Sequence, residues 1–150
     1  MKQKSDRVAE IEVTYKPSLA NKPIIKCPLD AFTEFWEFFP EGTIGLHERF
    51  LVMYLNRASR ALGIYEVSKG GLTGTVVDLR LILSVGLKVA ATSIILCHNH
   101  PSGNLQPSVN DQEITWNIAE ACKLLDIKLK DHIIISPERQ FNSMADAGII

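Results

Sequence analysis

The chain has 150 residues and a formal net charge of −1, with 46% hydrophobic and 22% charged residues. This length fits one domain with a substantial core, and the balanced charge gives no overall positive field for binding nucleic-acid phosphates. No apolar stretch predicts a membrane span, and the N-terminus lacks the apolar core of a signal peptide. The three cysteines are widely spaced, with no Cys-x-x-Cys pair, which favours a cytoplasmic location.

The first forty residues are predicted to form an extension that packs on the main domain, residues 41–150. Polar and apolar side chains alternate over residues 7–15, which indicates an edge or surface strand. After Pro28, aromatic residues recur at helical spacing up to Pro40. The pattern predicts a short amphipathic helix whose core-facing rings are Phe32, Phe35, Trp36 and Phe39.

Two strands, over residues 47–56 and 61–68, are predicted to form a β-hairpin. The glycine-dense segment 69–74 has neither the spacing of a phosphate-binding loop nor that of a dinucleotide site, so it predicts a turn. It leads to Thr75, the predicted N-cap of a helix over residues 76–90. The buried face of that helix is predicted to carry Leu79, Ile82, Leu83 and Gly86, with the glycine allowing close packing on the sheet.

The most informative stretch follows an apolar, β-branched run over residues 92–96 and reads Cys97-His98-Asn99-His100-Pro101-Ser102-Gly103. The run predicts a buried strand. If the strand continues to His100, the imidazoles of His98 and His100 project to the same face, because side chains at i and i+2 share a face. Cys97 then points to the opposite face and is predicted to be a buried small hydrophobe.

A helix is predicted to follow Pro107, with Ser108 as its N-cap, Asp111 in its first turn and an apolar stripe at Ile114, Ile118, Ala121, Cys122 and Leu125. Asp111 would lie beside the strand end that carries His98 and His100, so the three side chains can converge. Three nitrogen or oxygen ligands with a fourth position open to water is the arrangement of a catalytic zinc. The alternative is a pair of strand-end histidines beside a simple capping box.

A further strand is predicted over residues 128–136, followed by a turn and a short closing element over 141–150. Asp131 and His132 lie at the start of this strand and have two interpretations. They either support metal-ligating imidazoles through hydrogen bonds or form a structural polar pair. The order of predicted elements indicates an α/β domain with a mixed sheet flanked by helices.

The pattern His98-x-His100, seven residues, Ser108, two residues, Asp111 is similar, position by position, to the JAMM metal motif of the JAB/MPN metallopeptidases. Within that family the chain most resembles the RadC group, through His98 to Gly103, Pro107-Ser108 and Asp131-His132, over a stretch from about Glu48 to Ile150. The resemblance implies the MPN/JAB fold, similar in layout to the cytidine-deaminase-like architecture. It also implies a Zn²⁺ ion held by His98, His100 and Asp111.

The same resemblance implies hydrolysis of a peptide or isopeptide bond. Glu48 corresponds to the family's catalytic glutamate, although from the residues alone it is an ordinary solvated residue at a strand start. Glu48 would take a proton from water and deliver it to the leaving amine, while Ser108 would stabilise the oxyanion. The substrate's identity and the oligomeric state are left open.

Three alternatives belong to other functional classes. Proteins of the RadC group usually carry a helix-hairpin-helix DNA-binding module, which suggests a DNA-associated accessory module. Residues 1–40 contain no such pattern and the charge is balanced, so strong nucleic-acid binding is not expected of this chain. A catalytically silent MPN interaction domain is the second alternative, although such domains usually lose the metal ligands. A zinc deaminase is disfavoured because its His-x-Glu and Pro-Cys-x-x-Cys motifs are missing.

Overall fold

A computed structural model describes residues 8–17, 21–70 and 77–150. These ranges contain three helices and five strands, in the order α1 (Pro28–Phe38), β1 (Arg49–Leu55), β2 (Ala61–Lys69), α2 (Leu79–Lys88), β3 (Ser93–Asn99), α3 (Val109–Leu124), β4 (Lys128–Ile135) and β5 (Phe141–Ser143). The strands form one sheet in the order β2-β1-β3-β4-β5. Only β3 and β4 pair in parallel, so the predicted α/β class with a mixed sheet is confirmed.

The central strands β1 and β3 are buried along their whole length, because helices cover both faces of the sheet. On one face, α1 packs its aromatic rings onto the sheet in a cluster that includes Phe32, Phe35, Leu51, Met53 and Cys97. On the other face, α2 and α3 pack in a cluster that includes Val52, Tyr54, Ile82, Leu96 and Ile118. The predictions of a core role for the α1 aromatics and of a buried Cys97 are therefore confirmed.

Close packing of α2 on the sheet depends on Gly86. A Cβ at this position would lie 3.3 Å from the ring of Tyr54 and 3.4 Å from Ile127, which is tighter than ordinary contacts.

The helix begins at Leu79, later than predicted, and its N-cap is Asp78, whose carboxylate accepts from the backbone N–H of Arg80. The predicted cap, Thr75, lies outside the described residues. Among the described residues, no helix has the length and apolar character needed to cross a bilayer.

The strand predicted over residues 7–15 is not formed in its described part, residues 8–15. All of residues 8–17 are exposed, including the apolar Ile11 at 86% and Val13 at 70%. Alternation creates an apolar side only where a neighbouring strand or helix covers it, and no described element does so here. The hydroxyl of Tyr15 donates to the backbone carbonyl of Leu62 at 2.6 Å and connects this segment to β2.

Candidate metal centre

The two histidines of the motif project to the same side of the sheet, as predicted. His98 is buried near the end of β3, His100 follows directly after the strand, and their Nε2 atoms are 2.9 Å apart. The chain then turns sharply, with the backbone N–H of Gly103 donating to the carbonyl of His100 at 3.0 Å. Gly103 has a φ of +85°, a conformation that glycine adopts without a steric penalty.

The start of α3 brings Asp111 to these histidines. Ser108 is the N-cap, as predicted, and it also forms a capping box, the feature that the alternative interpretation named. The backbone N–H of Asp111 donates to Ser108 Oγ at 3.0 Å, and the backbone N–H of Ser108 donates to Asp111 Oδ2 at 2.7 Å. This reciprocal pair holds the Asp111 side chain against the first turn. Its oxygens then lie 3.4 Å from His98 Nε2 and 3.3 Å from His100 Nε2.

Glu48 is the fourth member of the group. Its Oε1 atom lies 3.9 Å from His98 Nε2, and its side chain is 24% exposed. Potential ligand atoms of Glu48, His98, His100 and Asp111, named here the site cluster, all lie within 4.8 Å of one another. With zinc bonds of about 2.0 to 2.2 Å, tetrahedral ligand atoms lie about 3.3 to 3.6 Å apart. Both histidine–aspartate distances fall in that range, and the donor types are those that zinc takes. The histidine–histidine distance of 2.9 Å is shorter, so the two imidazoles would move apart by about 0.4 Å around a zinc ion.

The sequence profile of the RadC-like JAB domain matches residues 25–149. The chain belongs to the RadC-like JAB domain family. It is 48% identical over 103 residues to a UPF0758 protein of Flavobacterium johnsoniae, covering 69% of this chain and 44% of that protein. UPF0758 proteins of Porphyromonas gingivalis and Syntrophomonas wolfei are 37% and 40% identical over 103 residues, again 69% of this chain, with 45% and 43% of their own lengths covered. The chain thus spans less than half the length of these curated relatives.

In this RadC-like domain, a chain of hydrogen bonds fixes the tautomer of His98. The hydroxyl of Thr115 donates to the carbonyl of Asp111 at 2.6 Å, so its oxygen accepts from Nδ1–H of His132, also at 2.6 Å. The Nε2 atom of His132 then accepts from Nδ1–H of His98 at 2.7 Å. Nε2 of His98 is therefore left with a free lone pair that faces the site cluster.

His100 is held in the same tautomer by a simpler contact. Its Nδ1–H donates to the backbone carbonyl of Asn104, in the loop that Gly103 turns. Its Nε2 atom therefore also carries a lone pair, directed at the Nε2 atom of His98 2.9 Å away. Two lone pairs at this distance repel each other unless a cation or a proton lies between them. The RadC-like domain thus presents a site whose donors match a divalent metal ion.

Electrostatics around the site cluster favour a neutral His132 behind His98 and an ionised Asp111. Burial lowers the pKa of His132 well below its ordinary value. For Asp111, burial acts to raise the pKa, but hydrogen-bonding contacts with His100 and His98 outweigh it and hold the pKa well below its usual range. Contact with Asp111 raises the pKa of His100. In the metal-free domain a proton on His100 therefore competes with a cation for the same position.

Asp131 and His132 turn out to have separate roles, because adjacent residues of β4 face opposite sides of the sheet. His132 lies behind His98, as the supporting interpretation requires. Asp131 points to the other side and accepts hydrogen bonds from the hydroxyl of Ser143 at 2.6 Å and the backbone N–H of Ala145 at 3.0 Å. The structural interpretation therefore fits Asp131, which ties β4 to the C-terminal segment.

Asn99 and Thr115 also make buried hydrogen bonds to segments that carry the site cluster, and the spacing of the motif does not single out either residue. Thr115 lies one helical turn after Asp111. Its position as a polar residue on the apolar face of α3 is the feature of the sequence that points to a buried hydrogen bond there. Asn99 is completely buried and makes three hydrogen bonds to the segment that carries Glu48. Strand alternation alone predicts only that Asn99 faces away from His98 and His100.

Proposed function

We propose that this RadC-like domain is a zinc-dependent hydrolase of peptide or isopeptide bonds. The observation that supports it most directly is the site cluster itself, in which the Nε2 atoms of both histidines face the carboxylates of Asp111 and Glu48. His98, His100 and Asp111 would hold the zinc ion, leaving one coordination position open. A zinc ion bound there supplies a Lewis acid that polarises the scissile carbonyl and makes water more acidic.

Glu48 is proposed as the general base and acid. Its carboxylate lies beside His98 without entering the closer His–His–Asp contacts, and its partial exposure admits water and substrate. It would take a proton from the attacking water and deliver it to the leaving amine. The water oxygen would form a bond to the carbonyl carbon as it loses that proton. The bond from this carbon to the amide nitrogen would then break as the nitrogen receives the proton, giving a carboxylic acid and an amine.

Ser108 is proposed to donate its hydroxyl proton to the developing oxyanion of the substrate. Ser108 is exposed, and its oxygen already accepts from the backbone N–H of Asp111. Because a hydroxyl can accept and donate at once, this cap leaves its proton available.

The free thiols of the three cysteines are consistent with a reaction in the cytoplasm.

The test compares the zinc-loaded wild type with Glu48→Gln on a panel of peptide and isopeptide substrates. The substitution keeps the size of the side chain and removes its basicity, so zinc content and folding should be retained. Hydrolysis should fall by a factor of about 10² to 10⁴, the usual contribution of a general acid–base group. Unchanged turnover in Glu48→Gln, or a joint loss of zinc and stability, would contradict this mechanism.

A further inference from the structure

We infer that Asn99 is a positioning residue that holds Glu48 beside the metal ligands. The inference rests on the proposed function, because the position of Glu48 matters chemically only if Glu48 moves a proton there. Asn99 lies between His98 and His100 in sequence, but its side chain points to the opposite face of the sheet. It is 0% exposed, so it does not contact substrate itself.

The Asn99 carboxamide forms hydrogen bonds with the residues immediately before and after Glu48 in the sequence. Its Oδ1 atom accepts from the backbone N–H of Arg49 at 2.7 Å, and its Nδ2 group donates to the carbonyl of His47 at 2.8 Å. A second Nδ2–H donates to the carbonyl of Ile44 at 2.7 Å. The two peptide groups that flank the Cα atom of Glu48 are therefore both tied to the residue between the histidines.

Glu48 needs this support because it lies just beyond the regular sheet. The last backbone pair between β1 and β3 is Phe50 with His98, and β1 begins at Arg49. On the other side, the carbonyl of Glu48 accepts from the backbone N–H of Gly70 at 2.8 Å. Among the described residues, no ladder bond joins Glu48 to β3, and the Asn99 side chain takes that place.

The polarity of the three partners explains why asparagine suits this position. One partner is a donor and two are acceptors, and all three are backbone groups that cannot change roles. A carboxamide offers an acceptor and two donors within a single planar group. Aspartate would bring a carboxylate oxygen against two carbonyls, and leucine would leave all three backbone groups unpaired in a buried place.

The experiment compares Asn99→Leu, Glu48→Gln, the double variant and the wild type. Ser143→Ala serves as the matched control, because it removes a buried hydroxyl group that makes two hydrogen bonds at β5, away from Glu48. Amide hydrogen exchange is measured on the metal-free proteins, comparing Arg49 with Met53 in the middle of β1. The visible absorption spectrum is recorded on the cobalt(II)-loaded proteins and responds to the groups around the ion.

In Asn99→Leu, protection of the Arg49 amide should fall at least about tenfold while that of Met53 is retained. Its cobalt spectrum should change as in Glu48→Gln, and the double variant should match Glu48→Gln alone, because both substitutions then act through one carboxylate. Ser143→Ala should match the wild type in both measurements. If Asn99→Leu does not fold, Asn99→Asp is expected to give the same change in the cobalt spectrum.

Wild-type Arg49 protection in Asn99→Leu would overturn the inference. Where Glu48→Gln changes the cobalt spectrum, a wild-type spectrum in either folded Asn99 variant would also overturn it, as would a spectral change that persists at full size in the Glu48→Gln background. Failure of the proposed function looks different: the wild type would bind no cobalt, or Glu48→Gln would leave the spectrum unchanged. The exchange of the Arg49 amide in the metal-free protein then decides by itself whether Asn99 holds the segment.

Discussion

At the scale of single residues, each imidazole of the site cluster is fixed by a partner behind it. His98 donates to His132, and His100 donates to the backbone carbonyl of Asn104. A ring fixed in this way would lose little rotational freedom on binding an ion, because its Nε2 atom already faces the other members of the site cluster. The orientation of these two side chains is therefore set by folding, through contacts on the side of each ring that faces away from the site cluster.

Thr115 is the end of this chain of hydrogen bonds and allows a clean test of it. Thr115→Val keeps the shape of the side chain but removes the oxygen that accepts from His132, so the tautomer of His98 is no longer enforced. We expect the zinc affinity, measured by competition with a chelator, to fall about 10- to 100-fold. Thr115→Ser restores the hydroxyl and should recover most of the affinity, whereas His100→Ala, which removes a ligand, should lose most of the bound zinc. Wild-type affinity in Thr115→Val would show that the chain does not orient His98.

At the scale of elements, the part of the site that could be predicted from the sequence is the part built by local geometry. Strand alternation places His98 and His100 on one face, and the first turn of α3 places Asp111 beside Ser108. The position of Glu48 depends instead on the pairing of β1 with β3, which is a tertiary contact. The segment 8–15 also depends on tertiary contacts. Its alternation of polar and apolar residues does not specify whether a partner strand is present.

The close contact between α2 and the sheet depends on the absence of a side chain at Gly86. In Gly86→Val, the added methyl groups would meet the ring of Tyr54 and the side chain of Ile127, so the helix must move away from β1. We expect the free energy of unfolding, measured by urea denaturation, to fall by about 1 to 3 kcal/mol. Gly63→Val in β2 is the control, since nothing lies within 4 Å of a Cβ there. Equal stabilities for the two variants would contradict close packing at Gly86.

At the scale of the whole molecule, charge is nearly balanced, with 16 basic and 17 acidic residues. A local concentration of basic side chains lies at the end of the sheet opposite the site cluster, where Arg57, Lys123 and Lys128 line a surface depression. Asp126 lines the same depression, and Lys123 is paired with Glu120 at 2.6 Å. The net positive charge that this surface could offer to a phosphate backbone is therefore small.

From this distribution we expect the chain alone to bind duplex DNA only weakly at physiological salt. Non-specific binding comes from the release of counterions by basic side chains, and its dissociation constants typically lie at about 10⁻⁴ to 10⁻⁶ M. Fluorescence anisotropy with a short labelled duplex, repeated over a range of salt concentrations, measures both the affinity and the number of phosphates neutralised. Lys128→Glu, which reverses an exposed charge in the depression, should weaken any binding seen at low salt and leave the affinity at physiological salt too weak to measure. Submicromolar binding with a steep salt dependence would contradict this expectation. If Lys128→Glu then abolished that binding, the interface would lie at the depression, because only charges that contact phosphates contribute to the salt slope.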